Sequence, residues 1–195
     1  MYARRLLLPA LIFALLPFLI AARSGGAGGI LFGIEKPDLA ASYLPSIGAS
    51  GSVEQLGGFG YGVDREGFIM GGFGVALLDQ ALLVPGADLT GAVAGGLGGM
   101  VVGQRLIDGR RIDLDLGLRL GLGGVARNDG NAWRGWAVAC VDPYVELLVA
   151  VSPWMALSAQ LGFQVLGNFA PGRSFQDLLV RTPILGFAIS WGSFR

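Results

Sequence analysis

Histidine is absent from this 195-residue chain, and cysteine occurs once, at Cys140. The first absence removes the most common general base and the most common metal ligand. The second excludes an internal disulfide and any zinc site built from cysteine pairs. Charge is also scarce: Asp, Glu, Lys and Arg make up only 14% of the residues, as 14 basic and 14 acidic side chains. With no basic excess to neutralise phosphates, a nucleic-acid partner is not expected. A chain that is 53% hydrophobic and so poor in charge does not have the composition of a disordered one. Beyond residue 24 there is no apolar run of the ~20 residues that a membrane-spanning helix needs. What is abundant is glycine, with 34 residues, more than twice the ~7% share usual in proteins.

The first residues read as an export signal. Arg4 and Arg5 precede an apolar run from Leu6 to Ala22, and the small residues Ala22 and Ser24 stand before Gly25. This order of charge, apolar stretch and small residues defines a signal peptide over 1–24, cleaved ahead of Gly25. An uncleaved anchor is the alternative, since the run is near the lower limit for a spanning helix. No cysteine follows it, so a lipoprotein anchor is not indicated. The remainder, 25–195, is short enough to form one domain. Loss of Arg4, Arg5 and Arg23 leaves it with an acidic excess.

Within that domain the hydrophobic pattern has a period of two. Ile112, Leu114, Leu116, Leu118, Leu120 and Leu122 alternate with Asp113, Asp115, Gly117, Arg119, Gly121 and Gly123. An extended strand puts all six apolar side chains on one face, whereas a helix would scatter them around its axis. Met155 to Val165 repeats the pattern, with Leu157, Leu161 and Phe163 alternating with Ser158, Gln160 and Gln164. The turns between strands set the expected registers. Asp108-Gly109 suits a two-residue hairpin, which would place Val101 opposite Leu116 and Leu97 opposite Leu120 on the apolar face. A loop at Ser152-Pro153-Trp154 would pair Val149 with Leu157, Val145 with Leu161, Glu146 with Gln160 and Asp142 with Gln164.

Strands are expected at 53–63, 67–78, 89–107, 110–126, 134–151, 155–169 and 181–194, with one more around Gly29–Glu35. Several exceed the ~9–11 residues with which a tilted strand crosses a membrane. Short connections at 64–66, 108–109 and 152–154 alternate with longer ones at 79–88, 127–133 and 170–180. That asymmetry is the one between periplasmic turns and external loops. The fold class is therefore all-β: an antiparallel up-and-down transmembrane β-barrel of eight strands, apolar outside. Leu118→Arg is accordingly expected to reduce folded yield far more than Gly117→Ser beside it.

Asp113, Asp115, Arg119, Asp142, Glu146, Gln160 and Gln164 are expected to face inward as a polar network filling the lumen, with Arg119 the only inward base mid-strand. Trp133, Trp136, Trp154, Trp191 and Phe194 lie near strand ends, where aromatic girdles belong. Gly91, Gly95, Gly99 and Gly103 recur every fourth residue, which on a helix would be a packing face; the barrel reading places them on a strand. Asn128-Asp129-Gly130-Asn131 has too few acids for a calcium loop and reads as a polar turn. The mid-strand Cys140 is expected to be inert.

The alternating strands, the loop asymmetry and the final segment, Leu185-Gly186-Phe187-Ala188-Ile189-Ser190-Trp191-Gly192-Ser193-Phe194-Arg195, together resemble small outer-membrane barrels of the OmpA/OmpX type. The last segment is similar to their C-terminal assembly signal, although an arginine follows the terminal Phe194. The resemblance implies location in a bacterial outer membrane, with membrane lipid and the export and barrel-assembly machineries as partners. Membrane-embedded hydrolases and acyltransferases of this architecture rely on a catalytic histidine, so Ser158 and Ser190 have no base here. The expectation is a non-enzymatic protein without cofactor or metal, serving structure or surface interaction. A small porin-like channel is the alternative, and a glycine-zipper inner-membrane protein a more distant one.

Overall fold

In the computed structural model, residues 25–35, 53–168 and 179–193 are described. The proposed signal peptide, Phe194 and two of the connections lie outside them. The described residues form eight strands: β1 Gly26–Glu35, β2 Val53–Val63, β3 Phe68–Asp79, β4 Val93–Asp108, β5 Ile112–Asn128, β6 Trp133–Ser152, β7 Met155–Asn168 and β8 Leu179–Gly192. Each is antiparallel to the next, and β8 pairs with β1 to close the barrel. Closure leaves no strand edge unpaired. Gly95, Gly99 and Gly103 lie within β4, and Gly91 precedes it with φ +88°, so the series belongs to a strand and its leading turn.

Alternation sets the two faces. Through the middle of β5, β6 and β7 alternate side chains are buried, and the intervening Leu116, Leu122, Val145, Leu147, Leu157 and Leu161 are exposed on the outer surface. Leu161 reaches 67% exposure, the reverse of a water-soluble barrel. On the β2–β4 side the middle of the outer face instead carries Gly58, Gly60, Gly72, Gly74, Gly96 and Gly98, flanked by Leu56, Phe68, Met70, Met100 and Val102.

One end gathers both barrel-closing ends of β1 and β8 and the turns after β2, β4 and β6. The opposite end carries the connection after β3, which includes a short 3-10 turn at Gln80–Leu83, and the connection after β5. The β5–β6 connection is shorter than the sequence suggests, because both strands continue to Asn128 and from Trp133. Gly130, at φ +92°, makes that tight reversal possible.

The register between β6 and β7 pairs Val149 with Leu157, Val145 with Leu161 and Glu146 with Gln160, as the turn at Pro153 implies. The register between β4 and β5 departs from the expected one: Val101 pairs with Arg119 and Leu97 with Gly123. Gly109 does not adopt the positive φ that a two-residue Asp-Gly turn requires. The reversal instead runs between Asp108 and Asp113, and the Asp113 carboxylate accepts the Gly109 N–H at 3.1 Å. A bulge between Arg105 and Ile107 then leaves both Leu106 and Ile107 exposed. The consequence is a change of face for β4. Leu97 and Val101 lie in the lumen rather than on the outer surface, and Arg105 is drawn in with them.

The interior is thus less uniformly small and polar than alternation alone suggests. Apolar side chains form one buried cluster along the length of the lumen, from Ala27, Tyr61 and Ile69 toward the turn end to Val53, Leu77, Val93, Val125 and Val138 toward the long loops. Charged side chains cluster in the middle and toward the turn end, and Glu35 and Asp79 are buried at the long-loop ends of β1 and β3.

Candidate functional site

Near the turn end of the lumen, Arg105 and Asp115 are directly paired across β4 and β5. The guanidinium grips that carboxylate with two bonds, Nε to Oδ1 at 2.9 Å and Nη2 to Oδ2 at 3.1 Å. Its Nη1 lies 2.9 Å from Oδ2 of Asp113. Two-pronged contacts of this kind are among the stronger and more directional ion pairs. Arg105 escapes a reading from the sequence because the expected Asp-Gly turn would turn it outward. Arg119 is therefore not the only inward base.

Arg119 forms the second station. Its Nη1 donates to Asp142 Oδ2 at 2.9 Å, its Nη2 donates to Gln160 Oε1, and its Cζ lies 4.2 Å from the centroid of the Tyr144 ring. The pairing follows from position: Arg119 and Asp142 are opposite one another on β5 and β6. Both are almost fully buried. Glu146 stands between the two stations, paired in register with Asp115 on one side and Gln160 on the other. Two carboxylates directly opposed would repel; Arg105 ion-pairs with Asp115, whereas Glu146 has the polar side chains of Ser158 and Gln160 beside it.

Gln164 is buried on β7, opposite Thr182 of β8. Another polar contact was not legible in the sequence. Gln55 donates a side-chain hydrogen bond to the Glu35 carboxylate, and both residues are buried toward the long-loop end. The glycine-rich β1 and β2 offer so few apolar residues that their inward face cannot be read from pattern alone.

Trp133, Trp154 and Trp191 are exposed, Trp133 at the long-loop end and the other two at the turn end. Trp136 departs from the expected girdle. It shares the inner parity of Val138 and Cys140 and packs against the buried cluster. Phe194 lies outside the described residues.

The polar segment at Asp129 works as a turn. Its Oδ1 accepts the N–H groups of Ala132 at 2.9 Å and Asn131 at 3.1 Å, and its Oδ2 accepts from Arg134 Nε at 2.7 Å. These backbone hydrogen bonds hold the carboxyl below its ordinary pKa, because they favour the ionised form.

A closed up-and-down barrel of eight strands, apolar outside and ion-paired within, is the architecture of the small outer-membrane β-barrels. Two solved structures share the fold. Neisserial surface protein A has 10% sequence identity and a TM-score of 0.57, over 88% of this chain and 96% of that one. The N-terminal β-barrel domain of Pseudomonas aeruginosa OprF has 7% identity and a TM-score of 0.55, over 87% and 98%. At such identities the similarity is one of fold. No protein-family model matches the sequence, and no curated protein matches it.

Proposed function

We propose that the protein is a non-enzymatic barrel of a bacterial outer membrane, with a structural or surface-interaction role and a lumen filled by its own side chains. The observation that carries this reading is the content of the lumen. Arg105 and Arg119 are each ion-paired to carboxylates, and buried apolar residues pack together along the interior. An eight-stranded barrel has an interior only wide enough for side chains to fill. The apolar outer surface suits lipid, and the exposed tryptophans near both ends suit its two interfaces. One structural neighbour is described as a surface protein, which agrees with such a role. Export through residues 1–24 and folding by the assembly machinery complete the reading, with neither cofactor nor metal. Ser158 and Ser190 face the lumen in a chain that has no histidine.

Membrane fractionation tests this reading. The protein should sediment with outer membranes, migrate faster in gels when left unboiled, and have an N-terminus at or near Gly25 by mass spectrometry. Recovery in the inner membrane with Met1 intact would contradict it.

A further inference from the structure

The long-loop end of the barrel holds a pair of arginines that the ion-paired lumen does not use. Arg127 and Arg134 are directly opposite one another on β5 and β6. Side chains in that relation start only ~4.5–5.5 Å apart, and like charges so placed repel. Among the described residues, one carboxylate lies within ion-pair distance of either cation. It is Asp129, 2.7 Å from Arg134 Nε, and it already accepts two backbone N–H groups. Arg134 is 73% exposed at the side chain and spends only Nε on that bond. Arg127 is different. It is half-buried, its Nε is fully covered, and it has no hydrogen-bond or ion-pair partner among the described residues.

No counter-charge lies next along the strands. The neighbouring inward pair is Val125 with Trp136, followed by buried Val138. A guanidinium drawn partly out of water without an anion is costly. Arginines on facing positions of neighbouring strands can together recognise a tetrahedral oxyanion, since each guanidinium can give parallel N–H bonds to its oxygens.

We propose that Arg127 and Arg134 bind a phosphate group at the long-loop mouth, with Asp129 holding the Arg134 fork in place. The phosphate can come from an outer-leaflet glycolipid headgroup or from free phosphate. The glycolipid source rests on the reading of this end as external. The phosphate chemistry does not, so the two can fail separately.

The test uses the full mature chain refolded in detergent micelles, with NMR of the arginine Nε–H groups as the readout. It is titrated with inorganic phosphate, with a glucosamine lipid carrying phosphate esters, and with the same lipid after dephosphorylation. Phosphate-bearing ligands should shift the Arg127 and Arg134 resonances while leaving those of Arg105 and Arg119 in place. Arg127→Gln and Arg134→Gln, each checked for folding by unboiled gel migration, should weaken binding about tenfold or more, as loss of a charged hydrogen bond implies. Response to the glycolipid alone would assign the phosphate to lipid, and response to both would assign it to phosphate in general. Absence of a response to both phosphate-bearing ligands, equal binding of the dephosphorylated lipid, or undiminished binding in both variants would each overturn the proposal.

Discussion

The ring of Tyr144 lies across Gly117, its direct partner on the neighbouring strand. A Cβ at position 117 would stand 2.3 Å from Cζ of that ring and 2.5 Å from its hydroxyl oxygen. The other relation of the ring is to Arg119, whose guanidinium carbon sits 4.2 Å from the ring centroid. Gly117 therefore makes the space that lets the aromatic ring and the central ion pair occupy one narrow interior.

Gly117→Ser is then not the mild change that alternation alone suggests. Forcing the ring aside is an overpacking defect of about 1–3 kcal/mol. Gly74→Ala is the contrasting substitution, because a Cβ there meets nothing within 4 Å. Removing glycine from an open position costs nothing sterically and restricts the unfolded chain, worth ~0.4–1 kcal/mol in favour of folding. Urea unfolding in lipid vesicles should show a lower midpoint for Gly117→Ser and an unchanged or higher one for Gly74→Ala. Equal midpoints would mean that the Tyr144 ring does not cover Gly117.

Arg119→Leu leaves Asp142 buried without its partner. Breaking such a pair typically costs about 3–5 kcal/mol, less where water reaches the site. Asp142→Asn in the same chain removes the stranded charge, so the double variant should recover part of the loss. A double variant no more stable than Arg119→Leu would show that Asp142 is not the partner that matters.

Much of this was readable in advance. From Ile112 to Leu122 large apolar side chains alternate with Asp, Gly and Arg, and the buried Asp113, Asp115 and Arg119 lie on the inner side of that alternation. Likewise Glu146, Gln160 and Gln164 are buried on strands whose outer positions are Val, Leu and Phe. β4 offered no such contrast. From Val93 to Gly103 its odd positions carry Gly, Leu and Val, while its even positions carry Ala, Gly, Met and Val, so only the turn could set its face. The turn is held by contacts of Asp113 with Gly109 and Arg105 within the hairpin, which the Asp-Gly dipeptide alone does not contain. Trp136 was misplaced for a related reason: proximity to a strand end does not fix the side of the sheet on which a side chain falls.

The face of β4 can be checked by spin labelling in a Cys140→Ala background. A label at Val102, which is outward, should be relaxed by oxygen dissolved in the bilayer. A label at Val101, buried in the lumen at 2% exposure, should be shielded or should block folding. The opposite pattern would restore the register implied by a two-residue turn and would remove Arg105 from the interior.

The central claim is that ion pairs and apolar side chains fill the lumen. Single-channel recording across a planar bilayer tests it most directly. Refolded wild-type protein, inserted at a known density, should give no resolved conductance steps, and Arg119→Leu should lower stability without opening a path. Stable wild-type channels whose ion selectivity changes in Arg119→Leu would contradict the account and identify the barrel as a pore.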